Sequence, residues 1–500
     1  WLKTYLARDC AQGRRARGGS ASWPIAGMDD GGKASDLVLR SPREQAGSAA
    51  AYHNTRFIKG TAIEKPPNND VAGLCGILKH PLNLLLLSLP LGLYGYFKGW
   101  GDVSVFFLNF IALIPLAKIL GDATEELAAG LQNDMLAGLL NATFGNAVEM
   151  VMMIQTLRAG LLDVVKATLL GSVLSNLLLV LGMSFFFGGI VGGKIKPVKI
   201  APSSTPPLGR STSNLGKTAS DNTYKPIPQG APADTPVPTP SANQFVMEKV
   251  QSFSILSALV NTSMLLLACL VLSLVAVFSV EAHEEGASKG APLMEIVVMV
   301  SRVCSIVMIS AYVAYIFFQL VTHREAMAEE AGEEGGDEPT ISVCTAVMTM
   351  LFVTIVVAFS TDLLVRSLEG VVEHAHISAH FIGIILLPIV GNACEHASAV
   401  RFAIMDKPGL SIGIAIGSST QISMFVVPFS VLAGWAMNKN ADLDFGRLNT
   451  TVLCVSIVVV LSIVVDGQAN WLQGYLLMSA YVIIAVLYFF LPNSIETATE

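Results

Sequence analysis

Apolar residues along this chain fall into long runs that are separated by short polar breaks. A helix that spans a bilayer needs about 20 mostly apolar residues. Eleven runs reach that length, and the sequence therefore predicts an all-α integral membrane protein with eleven transmembrane helices. The predicted helices cover residues 80–98, 104–130, 134–158, 163–191, 252–280, 293–321, 341–367, 377–404, 409–436, 447–466 and 470–491.

Three polar stretches divide these runs into larger units. Residues 1–70 are rich in Gly, Ser, Ala and Arg without an apolar period, which predicts a disordered tail. Residues 194–248 hold ten of the 23 prolines and predict a solvated, extended linker. Residues 323–338 are strongly acidic and form either a solvated hinge or a surface that attracts cations. After the helix at 80–98, this acidic divider separates two five-helix sets, 104–321 and 341–491.

Two short polar motifs occur inside the apolar runs, one in each set. Residues 145–149 read Gly-Asn-Ala-Val-Glu, and residues 391–396 read Gly-Asn-Ala-Cys-Glu-His. A Gly-Ser pair follows each motif at the same distance, because Gly171 lies 26 residues after Gly145 and Gly417 lies 26 residues after Gly391. With five helices and a divider between them, the two sets run in opposite directions. The sequence therefore predicts two inverted five-helix repeats with a site at the membrane midplane.

Burying a charged carboxylate in the hydrocarbon core of a membrane costs free energy. The matched pair of motif acids, Glu149 and Glu395, therefore indicates a functional site. Ca²⁺ prefers six to eight oxygen ligands. Two carboxylates match its charge, and neighbouring amides and hydroxyls extend the predicted cation-binding set. That set comprises Glu149, Glu395, Asn146, Asn392, Ser172, Ser418 and Gln421. The absence of a Cys or His quartet in the sequence disfavours a dedicated zinc or copper site.

The same acids are candidates for proton coupling. Burial and mutual repulsion both favour their neutral forms when the cation leaves, so cation and protons compete for the same oxygens. His396 adjoins Glu395 and titrates near neutrality, so it is either part of a proton relay or a structural, hydrogen-bonded histidine. The alternative for the two acids is a structural role, in which a protonated carboxyl group makes an interhelical hydrogen bond. For the Asn, Ser and Gln residues the alternative is ordinary helix packing.

Composition fits the membrane interpretation and narrows the partners. Hydrophobic residues make up 52% of the chain and charged residues 14%, against about 25% charged in soluble domains. A net charge of −7 argues against nucleic acid as a partner. The seven cysteines, most of them in apolar runs, are interpreted as small buried hydrophobes and not as a disulfide framework.

Other titratable groups lie at predicted helix ends. These groups are Asp122, Glu125, Glu126 and Asp362. Water at the membrane interface is enough to solvate their charges, and a role in ion access is the alternative. The spacing of one further group, Glu373, His374, His376 and His380, resembles that of metal ligands. Because these residues fall in a short predicted loop, a solvated surface that attracts cations weakly is the favoured interpretation.

At its motifs the chain resembles the cation/proton exchanger (CAX) family of the calcium/cation antiporter superfamily. The resemblance rests on residues 139–149, which read Leu-Leu-Asn-Ala-Thr-Phe-Gly-Asn-Ala-Val-Glu, and on residues 391–396. Supporting matches are residues 123–128, 175–182 and 417–419. The Pro-rich segment at 194–248 is longer than the usual connection in that family.

The resemblance implies eleven helices, a cytosolic N-terminus and Ca²⁺ uptake into a vacuole-like acidic compartment, driven by proton efflux. It also implies that Glu149 and Glu395 bind cation alternately with protons. No cofactor is predicted; the substrates are Ca²⁺ and H⁺, with Mn²⁺ and other divalent cations left open. The sequence does not specify the oligomeric state.

Competing functions remain at this stage. A sodium-coupled calcium exchanger of the same superfamily is the first alternative. An intramembrane hydrolase is the second, but no His-Glu-x-x-His motif lies within a predicted span. An ATP-driven pump would need a phosphate-binding Gly-rich loop with its Lys, and the sequence has none. A channel would pass cations without regard to the proton gradient.

Overall fold

The computed structural model describes residues 70–131, 140, 144–192, 195–198, 246–289, 294–323, 339–375 and 377–491. The predicted disordered tail, most of the Pro-rich linker and most of the acidic divider lie outside these ranges. The described chain is almost entirely helical.

Eight α-helices lie in the described residues before the acidic divider. They are α1 (Asp70–Leu78), α2 (Ser88–Lys98), α3 (Asp102–Gly130), α4 (Ala147–Ala159), α5 (Leu162–Leu174), α6 (Leu181–Phe187), α7 (Ile255–Lys289) and α8 (Met294–Phe317). A 3₁₀ segment, Pro81–Leu87, leads into α2. π-helical segments at Ser175–Val180, Gly188–Gly192 and Phe318–Thr322 follow α5, α6 and α8.

The part after the divider contains nine α-helices among the described residues. They are α9 (Val343–Arg366), α10 (Leu368–Ala375), α11 (Ala379–Phe381), α12 (Leu387–Gly391), α13 (Ala393–Ile404), α14 (Pro408–Gln421), α15 (Val427–Ala436), α16 (Arg447–Val464) and α17 (Trp471–Phe489). π-helical segments at Ile382–Leu386 and Ile422–Val426 precede α12 and α15.

Within the described ranges, eight helices are long and apolar enough to cross a membrane, or ten if each of two bent pairs counts as one span. One bent pair is Asp70–Leu78 with Pro81–Lys98, so the first apolar unit begins ten residues earlier than predicted and turns by 79°. His80 and Pro81 at the bend explain the turn, because proline favours a helix start. The other bent pair is Ala379–Gly391 with Ala393–Ile404. The predicted span 134–158 lies partly outside the described residues.

The first long helix of each half, α3 and α9, pack against each other and run antiparallel. Near the end of α3, Glu126 accepts hydrogen bonds from the backbone N–H and hydroxyl of Thr340, which precedes α9, both at 2.7 Å. Near the start of α3, the Asp102 side chain lies against Gly370 in α10. The carboxylate of Asp70 accepts bonds from Ser342 and Thr345, which fixes the start of α1 to the start of α9.

Four short strands depart from the all-α prediction. Ile195–Val198 (β1) pairs antiparallel with Val246–Lys249 (β2), so the two ends of the Pro-rich linker are joined. Gln251–Ser252 (β3) pairs with Gln468–Ala469 (β4). The sequence signal was weak because each strand has only two to four residues, and such pairs depend on partners far along the chain.

One pair of cysteines contradicts the sequence interpretation. Cys269 in α7 and Cys454 in α16 form a disulfide across a sequence separation of 185 residues. Cys344, interpreted as buried, is exposed. The packing of α7 against α16 brings the paired sulfurs together, and this neighbourhood is a tertiary property that the local apolar pattern does not contain.

Candidate cation-binding site

Both Gly-Asn-Ala-x-Glu motifs lie at a break between helical segments. Asn146 and Asn392 leave the helical backbone conformation, with φ/ψ of −110°/33° and −87°/17°, and α4 and α13 each begin at the following alanine. In the second motif, Pro388 lies one turn before the break and follows the π-helical segment Ile382–Leu386. Each glutamate therefore occupies the first turn of a helix, whose N-terminal end carries a partial positive charge.

The two acids come from different halves and face the same region. Glu149 is 2% exposed and Glu395 is 9% exposed. Oε1 of Glu149 lies 3.0 Å from the point where a Cβ on Gly391 would stand, so a side chain there would meet the carboxylate. The carboxylates are within Coulombic range of each other. The glycine of one motif thus makes room for the acid of the other.

Hydrogen bonds join the polar residues of the two halves. The hydroxyl of Ser418 donates to Oδ1 of Asn146 at 2.8 Å, and Nδ2 of Asn392 donates to the backbone oxygen of Ser172 at 3.1 Å. Each motif asparagine therefore contacts the serine of the opposite Gly-Ser pair. The sequence predicted these four residues as one set, and the structure brings them together.

Asn176 is a site residue that the predicted set did not include. It is fully buried, and its Nδ2 donates to the hydroxyl of Ser418 at 2.9 Å. Ser418 therefore bridges Asn176 and Asn146. A signal was present in the sequence, because Asn176 lies four residues after Ser172 and thus on the same helix face. No amide stands at the equivalent place in the second half, where the residue is Ile422.

Several oxygens around the motifs are buried without a hydrogen-bond partner among the described residues. They are Oε1 of Glu149, Oε2 of Glu395, Oγ of Ser172, Oγ of Ser175, Oδ1 of Asn176 and Oδ1 of Asn392. Buried polar atoms are normally hydrogen-bonded, so such a group of oxygens needs a further partner. Carboxylate, amide and hydroxyl oxygens are the ligands that hard divalent cations prefer.

The last two predicted residues lie at the edge of this group. Gln421 is 7% exposed at the end of α14, four residues after Gly417. Nδ1 of His396 is 2.5 Å from the backbone oxygen of Asn392, and its Nε2 is buried without a partner among the described residues. This contact fits the structural interpretation of His396 and leaves the proton-relay role a prediction.

The acids at helix ends have partners of their own. Asp122 pairs with Lys118 at 2.5 Å and Asp362 with Arg366 at 2.7 Å, while Glu126 binds the segment before α9. These contacts favour the interpretation as helix-end groups. Among the described residues, no three His, Cys, Asp or Glu side chains are grouped to hold a metal ion. His376 lies outside the described residues.

Comparison with known proteins identifies the family. The model of the sodium/calcium exchanger protein family matches residues 102–207 and 345–490. Vacuolar cation/proton exchanger 3 of Oryza sativa subsp. japonica is 36% identical over 83% of this chain and 86% of its own length. A Ca²⁺/H⁺ antiporter of Synechocystis sp. is 36% identical over 82% of this chain and 97% of its own length.

Solved structures share the fold. The structure of native YfkE matches with a TM-score of 0.60 and 30% identity, over 82% of this chain and all of that one. The crystal structure of the H⁺/Ca²⁺ exchanger CAX matches with a TM-score of 0.54 over 84% of this chain and 93% of that one, and its 12% identity supports the fold alone. The chain therefore belongs to the sodium/calcium exchanger protein family, and within it to the cation/proton exchangers.

Proposed function

We propose that this multi-pass membrane protein is a secondary active antiporter that exchanges Ca²⁺ for H⁺ by alternating access. The family consists of transporters, so the protein is not an enzyme. Relatives from both plants and cyanobacteria are named as exchangers of cations or Ca²⁺ for protons. The observation that carries the proposal is that two buried glutamates, one from each half, face a group of buried oxygens with no hydrogen-bond partner in the described part of the chain.

Ca²⁺ fits the chemistry of this group of residues. Glu149 and Glu395 supply two negative charges, and amide and hydroxyl oxygens supply neutral ligands. We assign cation binding to the predicted set of Glu149, Glu395, Asn146, Asn392, Ser172, Ser418 and Gln421, and add Asn176 because of its bond to Ser418. The oxygen donors are equally compatible with Mn²⁺, so preference among divalent cations is a matter for measurement.

Proton coupling follows from the same two carboxylates. Without a cation, two buried acids within Coulombic range cannot both stay charged at low cost, so protons replace the metal charge. Cation and protons therefore use the same oxygens in turn. His396 is the candidate for a relay next to Glu395, and replacing it with Gln tests that role through the pH dependence of exchange.

We propose an architecture of eleven transmembrane helices, with one N-terminal helix followed by two inverted five-helix repeats at 104–321 and 341–491. Three observations support it. The first long helices of the two sets, α3 and α9, are antiparallel. Both motifs break at the asparagine, and a π-helical segment begins four residues after Gly171 and five after Gly417.

The remaining parts of the architecture are also proposals. Residues 1–70 form a tail, residues 194–248 a linker whose ends pair as β1 and β2, and residues 323–338 an acidic divider. The plant relatives are named as vacuolar, which supports a vacuolar or other acidic-organelle membrane for this protein.

Ca²⁺ uptake by the purified protein in liposomes tests the function. With an acidic interior, we expect uptake that stops when a proton ionophore dissipates the gradient. Parallel liposomes carry a sodium gradient at uniform pH, and others carry Mn²⁺ instead of Ca²⁺. Uptake driven by sodium would establish the sodium-coupled alternative, and uptake indifferent to both gradients would indicate a channel.

A further inference from the structure

An identical tetrapeptide, Ser-Ala-Tyr-Val, occurs once in each half, outside the motifs of the candidate site. It begins at Ser310 in α8 and at Ser479 in α17. Its tyrosines, Tyr312 and Tyr481, are 7% and 4% exposed. A large polar side chain that is buried at the same place in two outer helices indicates a shared role that helix packing alone does not require.

A second tyrosine on each of these helices bonds to the preceding helix of the same half. The hydroxyl of Tyr315 in α8 donates to Oδ1 of Asn261 in α7 at 2.8 Å. In the other half, the hydroxyl of Tyr488 in α17 donates to Oδ1 of Asn449 in α16 at 2.7 Å. Both asparagines are followed by threonine. The last two helices of each half are therefore joined by a Tyr–Asn hydrogen bond, although Tyr315 lies three residues after Tyr312 and Tyr488 lies seven residues after Tyr481.

Each tetrapeptide tyrosine contacts the opposite half, at the π-helical segment that follows the site residues. The ring of Tyr312 stacks on Phe425, in the segment Ile422–Val426, with 5.5 Å between ring centroids. Tyr481 lies beside the side chain of Ser175, the first residue of the segment Ser175–Val180. The two contacts lie in corresponding π-helical segments, but Phe425 is equivalent to Leu179 and not to Ser175, and one contact is apolar while the other is polar.

The polar contact lies next to the candidate site. Oη of Tyr481 and Oγ of Ser175 are both buried, and neither bonds with good geometry to another described residue. Ser175 lies three residues after Ser172 and adjoins Asn176, whose amide binds Ser418. Because an unpaired buried hydroxyl is costly, each of these two groups favours a bond with the other or with a site oxygen.

We propose that Tyr481 is a positioning residue for cation binding, which acts by orienting Ser175 and the adjoining Asn176. Tyr312 holds the equivalent segment of the other half through its stacked ring. The outer helices of each half thereby fix the site segment of the opposite half. This inference rests on the proposed cation site, and it adds residues from α8 and α17 that the motifs do not contain.

Calorimetric titration of Ca²⁺ into the full-length protein in detergent tests this role without depending on transport. We expect Tyr481→Phe to weaken Ca²⁺ binding about threefold to tenfold, as for loss of one buried hydrogen bond, while the protein stays folded. The matched control is Tyr475→Phe on the same helix, where the ring is 53% exposed and affinity is expected to be unchanged.

A double-mutant cycle separates positioning from general stability. If Tyr481 acts through Ser175, the effects of Tyr481→Phe and Ser175→Ala on Ca²⁺ affinity are not additive. A purely structural role would lower the melting temperature and leave the affinity of the folded fraction unchanged, and that result would overturn the proposal. Wild-type protein that binds no Ca²⁺ would instead contradict the proposed function itself.

For Tyr312 the expected dependence is on the ring and not on the hydroxyl. Tyr312→Leu removes the stacking on Phe425 and is expected to weaken Ca²⁺ binding about twofold to tenfold. Tyr312→Phe keeps the stacked ring and is expected to retain more affinity than Tyr312→Leu. Equal losses in both variants would contradict the assigned chemistry.

Discussion

The two halves carry the same glycine in different surroundings. A methyl group on Gly171 would collide with the backbone carbonyl of Ile384 and come within 2.6 Å of Cγ of Pro388. A methyl group on the equivalent Gly417 would meet nothing within 4 Å among the residues that the structure describes. The serines that follow these glycines also differ in burial: Ser172 is 1% exposed, whereas Ser418 is only partly buried.

This difference indicates which contact between the halves is closed. Near Gly171, the helix α5 packs tightly on the segment before the second motif, and Gly383 contacts Ala167 in the same region. Near Gly417, Gly413 also has open space. Inverted repeats that alternate access are expected to close one of two equivalent contacts at a time. The contact at Gly171 is therefore closed, and the segment expected beside Gly417 by the same symmetry, residues 138–142, lies outside the described residues except for Leu140.

Loss of either glutamate is the largest expected effect, and here the halves are expected to behave alike. Glu149→Gln and Glu395→Gln should each abolish proton-driven Ca²⁺ uptake, because each change removes a charge and a proton carrier. The measurement is uptake in liposomes at matched amounts of folded protein. Glu369→Gln, an exposed acid in α10, is the control. Normal exchange in either site variant would remove that residue from the site.

The matched glycines should differ in their tolerance of a methyl group. Gly171→Ala overpacks a closed contact and should destabilise the protein by about 1–3 kcal/mol. Gly417→Ala meets none of the described residues and should change stability by less than about 0.5 kcal/mol. Thermal unfolding in detergent measures both. Equal losses of stability would show that the two contacts are closed alike.

Asn176 and Ile422 occupy equivalent places, five residues after the matched glycines, but only one carries an oxygen. Asn176→Ala should weaken Ca²⁺ binding about tenfold, the equivalent of 1.4 kcal/mol, because it removes an amide next to Ser418. Ile422→Ala leaves a cavity and should lower stability without the same loss of affinity. Calcium titration and thermal unfolding of both variants distinguish these outcomes.

The smallest effect on transport is expected from shortening the Pro-rich linker, which carries no residue of the candidate site. Removing residues 200–240 should leave proton-driven uptake close to that of the full chain, since it removes neither a predicted span nor a site residue. The paired strands β1 and β2 lie outside the deletion. Loss of uptake in a well-folded deletion would give this linker a role in transport.

Local patterns were enough to predict most helices and the central residues of the site. The apolar runs predicted the membrane helices, and the two acids drew attention because charge is costly in lipid. The bend at His80 and Pro81, the short strands and the Cys269–Cys454 disulfide were not predicted. Each depends on a particular backbone turn or on neighbours far along the chain.

The sequence alone determined that the chain spans a membrane and carries two copies of one polar motif, because hydrophobic length and residue spacing are local properties. Only the tertiary structure decided that Glu149 lies against Gly391, that Asn176 belongs with Ser418, and that Gly171 packs against the backbone of Ile384. These features arise where segments more than 200 residues apart come into contact. Two halves with the same local pattern can therefore adopt different environments, and this difference is what alternating access requires.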